Sequence, residues 1–257
     1  MSANFYETDR AVSEYLLFHY GKPEPRLPAA LAEAGALDFP ARCVGACLDP
    51  ARLPRNACGL DLGCAVGRGA FELARHCAEV VGIDYSRAFV SVAGRLRARG
   101  SLAFEYVEEG DLTRRHRAVV PPDIARARVC FERGDAQRLR PGLGPFDVVV
   151  MANLIDRLRR PQSCLDQLPD LVKKGGQLII TSPYTWLETY TPRKNWLGGF
   201  QRGRRRVATF DALREILAPH FTLLRRLDLP FVIREHARKF QLSFADASVW
   251  IRRPNDP

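Results

Sequence analysis

The stretch that decides the fold is Gly59–Ser86, GLDLGCAVGRGAFELARHCAEVVGIDYS. Leu60 and Leu62 lie in a short apolar strand, and Gly63, Gly67 and Gly69 punctuate the turn after it. A helical pattern starts at Arg68, with Phe71, Leu73 and Ala74 on its apolar side. Val80, Val81 and Ile83 then form a β-branched strand that stops at Asp84. Glycines permit a tight turn and close backbone approach, and a helix N-terminus offers free N–H groups to a ligand. An acid closing the second strand stands where such folds grip a ribose. The unit therefore predicts a site for a nucleoside-containing cofactor.

The glycine spacing narrows the choice. A dinucleotide turn reads G-x-G-x-x-G, whereas here Cys64, Ala65 and Val66 separate Gly63 from Gly67, and Asp61 precedes the turn where it would repel a pyrophosphate. The D-x-G-C-x-x-G run followed by G-I-D-Y-S instead resembles the first two motifs of class I S-adenosylmethionine-dependent methyltransferases. That resemblance implies a Rossmann-like α/β fold with seven strands, mostly parallel with an antiparallel last strand. It places Asp61 toward the cationic methionine end and Asp84 on the ribose hydroxyls. Gly63 and Gly67 act by backbone approach and Tyr85 by packing on adenine. Cys64, Ala65, Ser86, Asp135 and Ala136 match the same cofactor pattern, with Asp135 meeting the adenine amino group; Asn153 and Leu154 complete the expected cofactor contacts.

Composition sets the frame. At 257 residues, 46% hydrophobic and 26% charged, the chain suits one α/β domain with additions. We expect an N-terminal helical lid over residues 1–56 and the methyltransferase domain over 57–257. No apolar run reaches the length of a membrane span, and MSANFYETDR lacks the look of a signal peptide. Seven cysteines scattered through core segments point to a reducing compartment, hence a cytoplasmic location, rather than a disulfide framework. Cys43 and Cys47 have no companion pair at zinc-finger spacing, so no metal is expected. The net charge of +10 gathers in arginine clusters at 114–117 and 202–206, without the interleaved aromatics of a base-stacking surface. Nucleic-acid binding is accordingly the weaker reading, and ANLID replaces the NPPY-type tetrad of nucleic-acid amino methylases.

Along the chain, helices are expected at Asp9–His19 and near Pro28–Gly35. Another spans Arg87–Arg99, ending at the C-cap Gly100. Residues 101–127 read as an inserted hairpin or loop. Strands follow at Arg128–Glu132 and Asp147–Met151. Pro161–Lys173 should be one helix stopped by Gly175-Gly176, before a strand at Gln177–Thr181. An irregular, aromatic-rich segment precedes a helix at Thr209–Leu217 capped by Thr209. The last strands are expected at Phe221–Leu227 and Ala247–Ile251.

The resemblance narrows when LDLGCAVGR, VVGIDYS, GDA, ANLIDRL, SPYTWLE, TPR, WLGG, PFVIRE and ARKFQ are taken together. Over roughly Tyr6 to Trp250 the chain resembles the 4-mercaptohistidine N1-methyltransferases of ovothiol biosynthesis. What this implies is methyl transfer from S-adenosylmethionine to the ring nitrogen Nπ of 5-thiohistidine, giving ovothiol A, or of 5-selenohistidine, giving ovoselenol. A separate sulfoxide synthase or selenium-inserting enzyme must then supply the substrate. Asn153 and Asp156, just past the fourth strand, are the candidate ring-orienting groups: Asn153 aims the ring and Asp156 accepts a ring proton or holds the α-ammonium. Tyr184 and Trp186 are expected to wall the ring, with the Tyr184 hydroxyl bonding it. Arg157 and Arg234 are the candidates for the substrate carboxylate, and Tyr6 and Tyr15 (with Tyr20 beside them) the candidates from the N-terminal helix.

Overall fold

The computed structural model describes residues 5–21, 28–33, 35–236 and 238–255. A single helical turn at Phe5–Glu7 leads into α1 (Asp9–Tyr20), which is capped by Thr8 through its side chain. Two short helices follow, α2 (Ala29–Glu33) and α3 (Phe39–Gly45). The second was not expected: its pattern is brief, and Pro40 in its first turn reads as a loop signal although proline is tolerated there.

The decisive stretch folds as its sequence dictates. β1 (Cys58–Leu62), α4 (Arg68–Leu73) and β2 (Glu79–Asp84) form one strand–helix–strand unit, with β1 and β2 parallel. Next come α5 (Arg87–Arg99), stopped at Gly100 with φ +74°, and an antiparallel hairpin of β3 (Ser101–Glu109) and β4 (Leu112–Val119). β5 (Val129–Arg133) and β6 (Phe146–Ala152) extend the main sheet.

Three expectations change beyond this point. Pro161–Lys173 is not one helix but α6 (Pro161–Leu165) and α7 (Leu168–Leu171), and β7 (Val172–Ser182) begins where the helix was expected to continue. Gly175-Gly176 sits inside β7. Its register against β6 jumps between Val172 and Gln177, and Gly175 at φ +80° lets the extra residues bulge. After a small hairpin, β8 (Phe200–Arg202) with β9 (Arg205–Val207), helix α8 (Thr209–Leu217) starts at the expected residue. Its cap position is Ala208, however, and the Thr209 hydroxyl accepts from Trp186 Nε1 at 2.9 Å instead of capping. Finally, β10 (Phe221–His236) and β11 (Lys239–Arg252) run far beyond the expected short strands.

The sheet order is β10-β11-β7-β6-β1-β2-β5, with β11 antiparallel to its neighbours. Strand β6 shows why both faces are covered: Val148 and Val150 join one core with Phe39, Phe71 and Phe89, while Val149 and Met151 join another with Leu165, Leu213 and Trp250. Pairing of β11 with β7 ends at Asp246 opposite Ser182, so the hairpin half from Leu229 to Ala245 projects past the carboxyl edge of the sheet. There it meets the N-terminal helices: Val232 N–H donates to Ala36 O, and Phe231 packs on Phe39 and Phe18.

Candidate active site

The carboxyl ends of β1, β2, β5, β6 and β7 converge on one crevice. Three of its residues hold the left-handed backbone without being glycine: Ala65 (φ +45°), Asn153 (+51°) and Tyr184 (+53°). These follow β1, β6 and β7 respectively. Non-glycine strain of this kind costs about 1–3 kcal/mol per residue and concentrates at functional sites.

The turn after β1 is built for a close ligand. Gly63 (φ +81°) and Gly67 (φ +88°) need glycine's freedom; a Cβ on Gly63 would lie 2.9 Å from Leu154, and one on Gly67 would lie 2.6 Å from Phe131. Leu154 therefore packs against the turn. Asp61 is buried beneath it, accepting from the Ala70 backbone, and burial lifts its pKa to about 7. Cys64 points inward among core atoms, so only its backbone can meet a ligand.

Asp84 closes β2. Its Oδ2 accepts from Ala65 N–H at 2.9 Å and its Oδ1 from Ser86 N–H at 2.9 Å, which ties the acid to the turn. Burial raises its pKa, with Glu7 a weaker cause. Tyr85 is 57% exposed with the Arg133 guanidinium 5.4 Å from its ring centroid, leaving the ring free to stack. Ser86, by contrast, is fully engaged: its hydroxyl donates to Tyr6 O and accepts from Phe89 N–H as the cap of α5. Past β5, Asp135 uses Oδ1 to hold Gln137, and the Ala136 carbonyl accepts from Gln167.

The other half of the crevice differs from the expectation in part. Asn153 Oδ1 accepts from Thr181 Oγ1 at 3.1 Å, which orients its NH2 group as the donor left over. Asp156 cannot reach a substrate. It is completely buried, with Ser182 donating to Oδ1 at 3.0 Å and Arg157 Nη1 donating to Oδ2 at 2.8 Å. Tyr184 also turns away, donating to Asp246 Oδ2 at 2.9 Å, while Arg226 holds the same carboxylate. Trp186 packs the insert, stacked 6.1 Å from Trp196 and bonded to Thr209. Arg234 lies on the projecting hairpin over Tyr106 and Phe240, apart from Arg157.

Arg157 stands in different company. Its guanidinium is 5.0 Å from the ring centroid of Tyr190, and Tyr6 lies 5.9 Å from Tyr190 and 6.0 Å from Tyr15. All its hydrogen bonds, to Asp156 and to Thr185 O, come from Nη1. Its Nε–Nη2 edge makes no hydrogen bond among the described residues. Burial pushes the Tyr15 hydroxyl up to about 12 and Tyr6 higher still, so both stay protonated donors; the charge of Asp84 also reaches Tyr15. Tyr190 was not singled out in the sequence, because it lies in an irregular segment where no periodicity marks a facing side. Tyr20, expected at the site, fastens α1 to the glycine turn by donating to Val66 O at 3.1 Å.

Comparisons with known proteins agree with this fold. The model of a methyltransferase domain family matches residues 60–178. A ubiquinone biosynthesis O-methyltransferase from Alkalilimnicola ehrlichii is 29% identical over 147 residues, which is 57% of this chain and 47% of that protein, so the chain spans about half the length of the curated relative it matches. Among solved structures, a SAM-dependent methyltransferase from Methanosarcina mazei aligns with TM-score 0.54 at 16% identity over 80% of this chain and 96% of that one. The N-methyltransferase NodS from Bradyrhizobium japonicum, in complex with S-adenosylhomocysteine, gives 0.51 at 15% over 95% and 99%. Magnesium protoporphyrin IX methyltransferase from Synechocystis, with bound SAM, gives 0.52 at 16% over 97% and 100%. Residues 60–178 thus match a methyltransferase domain, and the fold is that of class I methyltransferases, whose cofactor is S-adenosylmethionine. The residues fit that cofactor: a glycine turn with positive φ at Gly63 and Gly67, the acid Asp84 closing β2 and the exposed ring of Tyr85 lie in sequence along the crevice. Among the described residues, no group of acids, cysteines or histidines is arranged to hold a metal ion, and no helix is long and apolar enough to cross a membrane.

Proposed function

We propose that the chain methylates the imidazole Nπ of 5-thiohistidine with S-adenosylmethionine, giving ovothiol A. The observation that carries the reading is Arg157, anchored through one nitrogen by Asp156 and Thr185, with its second edge unbonded among the described residues and Tyr190 beside it, next to Tyr6 and Tyr15. An amino-acid carboxylate is what such a fixed fork takes up, because both N–H donors of the free edge match its two oxygens. The motif resemblance described above supports the same acceptor.

The cofactor brings an activated methyl group on a sulfonium. The protein's part is to hold the nucleophile in line at about 3–3.5 Å. The acceptor sets a selectivity problem, since its thiolate is softer and more nucleophilic toward methyl than the neighbouring ring nitrogen. Protonated tyrosine hydroxyls can hydrogen-bond the thiolate and turn it away, while the Asn153 amide donates to the ring or its substituents. Asp156 is then a positioning residue for Arg157. Catalysis is orientation, and no general base is required of a ring nitrogen that already carries a lone pair.

The 5-selenohistidine reaction, giving ovoselenol, uses the same contacts. In either case a separate enzyme installs the chalcogen. RNA is the weaker alternative, because exposed arginines that motivate it face acids: Arg114 pairs with Glu108, Arg115 with Glu105 and Arg205 with Glu215. The test is turnover by mass spectrometry on a panel of 5-thiohistidine, 5-selenohistidine, histidine and a catechol. Methylation of the thio or seleno compound alone supports the proposal, and preference for the catechol rejects it.

A further inference from the structure

Helix α1 crosses the glycine turn and leaves one polar group beneath it unexplained. His19 is 8% exposed, and its Nδ1 has no hydrogen-bond partner among the described residues. Tyr15, Phe18 and Tyr20 pack around the ring at 5.4–6.4 Å between centroids. A buried nitrogen without a hydrogen-bond partner is unfavourable, and a core position would avoid it with an apolar side chain. An orphan of this kind marks a missing partner.

The position of the ring says which partner. One residue on, the Tyr20 hydroxyl grips Val66 O in the turn, and one helical turn back Tyr15 senses the charge of Asp84. The face carrying Tyr15, His19 and Tyr20 therefore lies over the path from the ribose acid to the glycine turn. A nucleoside fixed at Asp84 must run its remaining chain along that path. The imidazole is neutral, held to a pKa of about 3 by burial and then by Arg68, whose own charge is matched by Asp38 and Glu72. A neutral ring carries one N–H and one lone pair, so its buried Nδ1 can hydrogen-bond the amino-acid head group, the polar part of S-adenosylmethionine outside the nucleoside.

We infer that His19 is a cofactor-binding residue, its Nδ1 hydrogen-bonding the α-amino-acid head group of S-adenosylmethionine. The assignment concerns the cofactor and holds whichever acceptor is methylated.

Calorimetry with two ligands tests it. S-adenosylhomocysteine carries the amino-acid head group, and 5′-methylthioadenosine keeps the nucleoside but lacks it. His19→Phe is expected to weaken S-adenosylhomocysteine on the order of tenfold, the loss of one charge-assisted bond, and to leave 5′-methylthioadenosine within about twofold. An unchanged ratio of the two affinities overturns the assignment, whether both stay tight or both weaken together. Should the variant not fold, nitrogen NMR of the wild-type chain decides: the His19 Nδ1 resonance moves with S-adenosylhomocysteine and not with 5′-methylthioadenosine. Equal responses to both ligands contradict it.

Discussion

Nη1 of Arg157 donates to Oδ2 of Asp156 at 2.8 Å, and the acid is fully enclosed while 28% of the arginine side chain remains exposed. The pair is therefore asymmetric: one member is structure, the other is a hand held out. Asp156→Ala leaves its partner without its anchor and opens a polar void, so it should destabilise the chain by about 3 kcal/mol in urea unfolding. Arg157→Ala strands the enclosed carboxylate and should cost a similar amount, about 3 kcal/mol. In the chain that remains folded it should also act on binding: the KM for 5-thiohistidine should rise about tenfold or more, with a smaller change in kcat. An unchanged KM removes Arg157 from the site.

Asp84→Ala should weaken S-adenosylhomocysteine binding by about 10- to 100-fold in calorimetry. The carboxylate that would meet the ribose is lost, at roughly 1.5–3 kcal/mol for a charge-assisted bond. Wild-type affinity would show that Asp84 serves only to tie Ala65 and Ser86 together.

Gly67→Ala should be worse than Gly63→Ala for both folding and cofactor binding. Each forces alanine into the left-handed region at about 1–2 kcal/mol. The new methyl at residue 63 meets the flexible end of Leu154, whereas at residue 67 it meets the rigid Phe131 ring at 2.6 Å with Ala93 behind it. Urea unfolding of the two variants gives the order directly.

Two buried groups should give opposite pH slopes. Asp61 moves from 3.8 to about 7 on folding, so between those values the folded chain holds a proton the unfolded chain releases, and stability falls as pH rises. His19 moves from 6.5 to about 3, so the unfolded chain holds the extra proton and stability rises with pH over that window. Each slope is at most about 1.4 kcal/mol per pH unit, and from about pH 4 to 6.5 they largely cancel. Asp61→Asn should unmask a rise in stability with pH, and His19→Phe a fall. Parallel profiles for both variants and the wild type would refute the two assignments.

Much of this was legible before any coordinates. The strand–turn–helix–strand unit from Gly59 to Asp84 carries its own periodicity and glycine chemistry, and its residues fall where the pattern places them. The stretch from Pro161 to Gly176 did not read correctly because Val172 continues an apolar helical pattern, while the bulge that admits it to the sheet is a register effect between β6 and β7. The site's second half was harder. Asp156, Tyr184 and Trp186 have the right chemistry at the right strand ends, yet Ser182, Asp246 and Thr209 occupy their polar atoms. Those partners lie 23 to 62 residues away for Trp186, Asp156 and Tyr184, a distance at which sequence spacing is silent. Tyr190 and the orphaned His19 emerge only when the irregular segment and α1 are folded over the sheet.

The central claim is tested most directly by incubating the chain with methyl-labelled S-adenosylmethionine and 5-thiohistidine and locating the label by NMR. The account predicts one added methyl group, on ring Nπ, with sulfur unlabelled. Label on sulfur, or no product from a chain that binds S-adenosylhomocysteine, would contradict it.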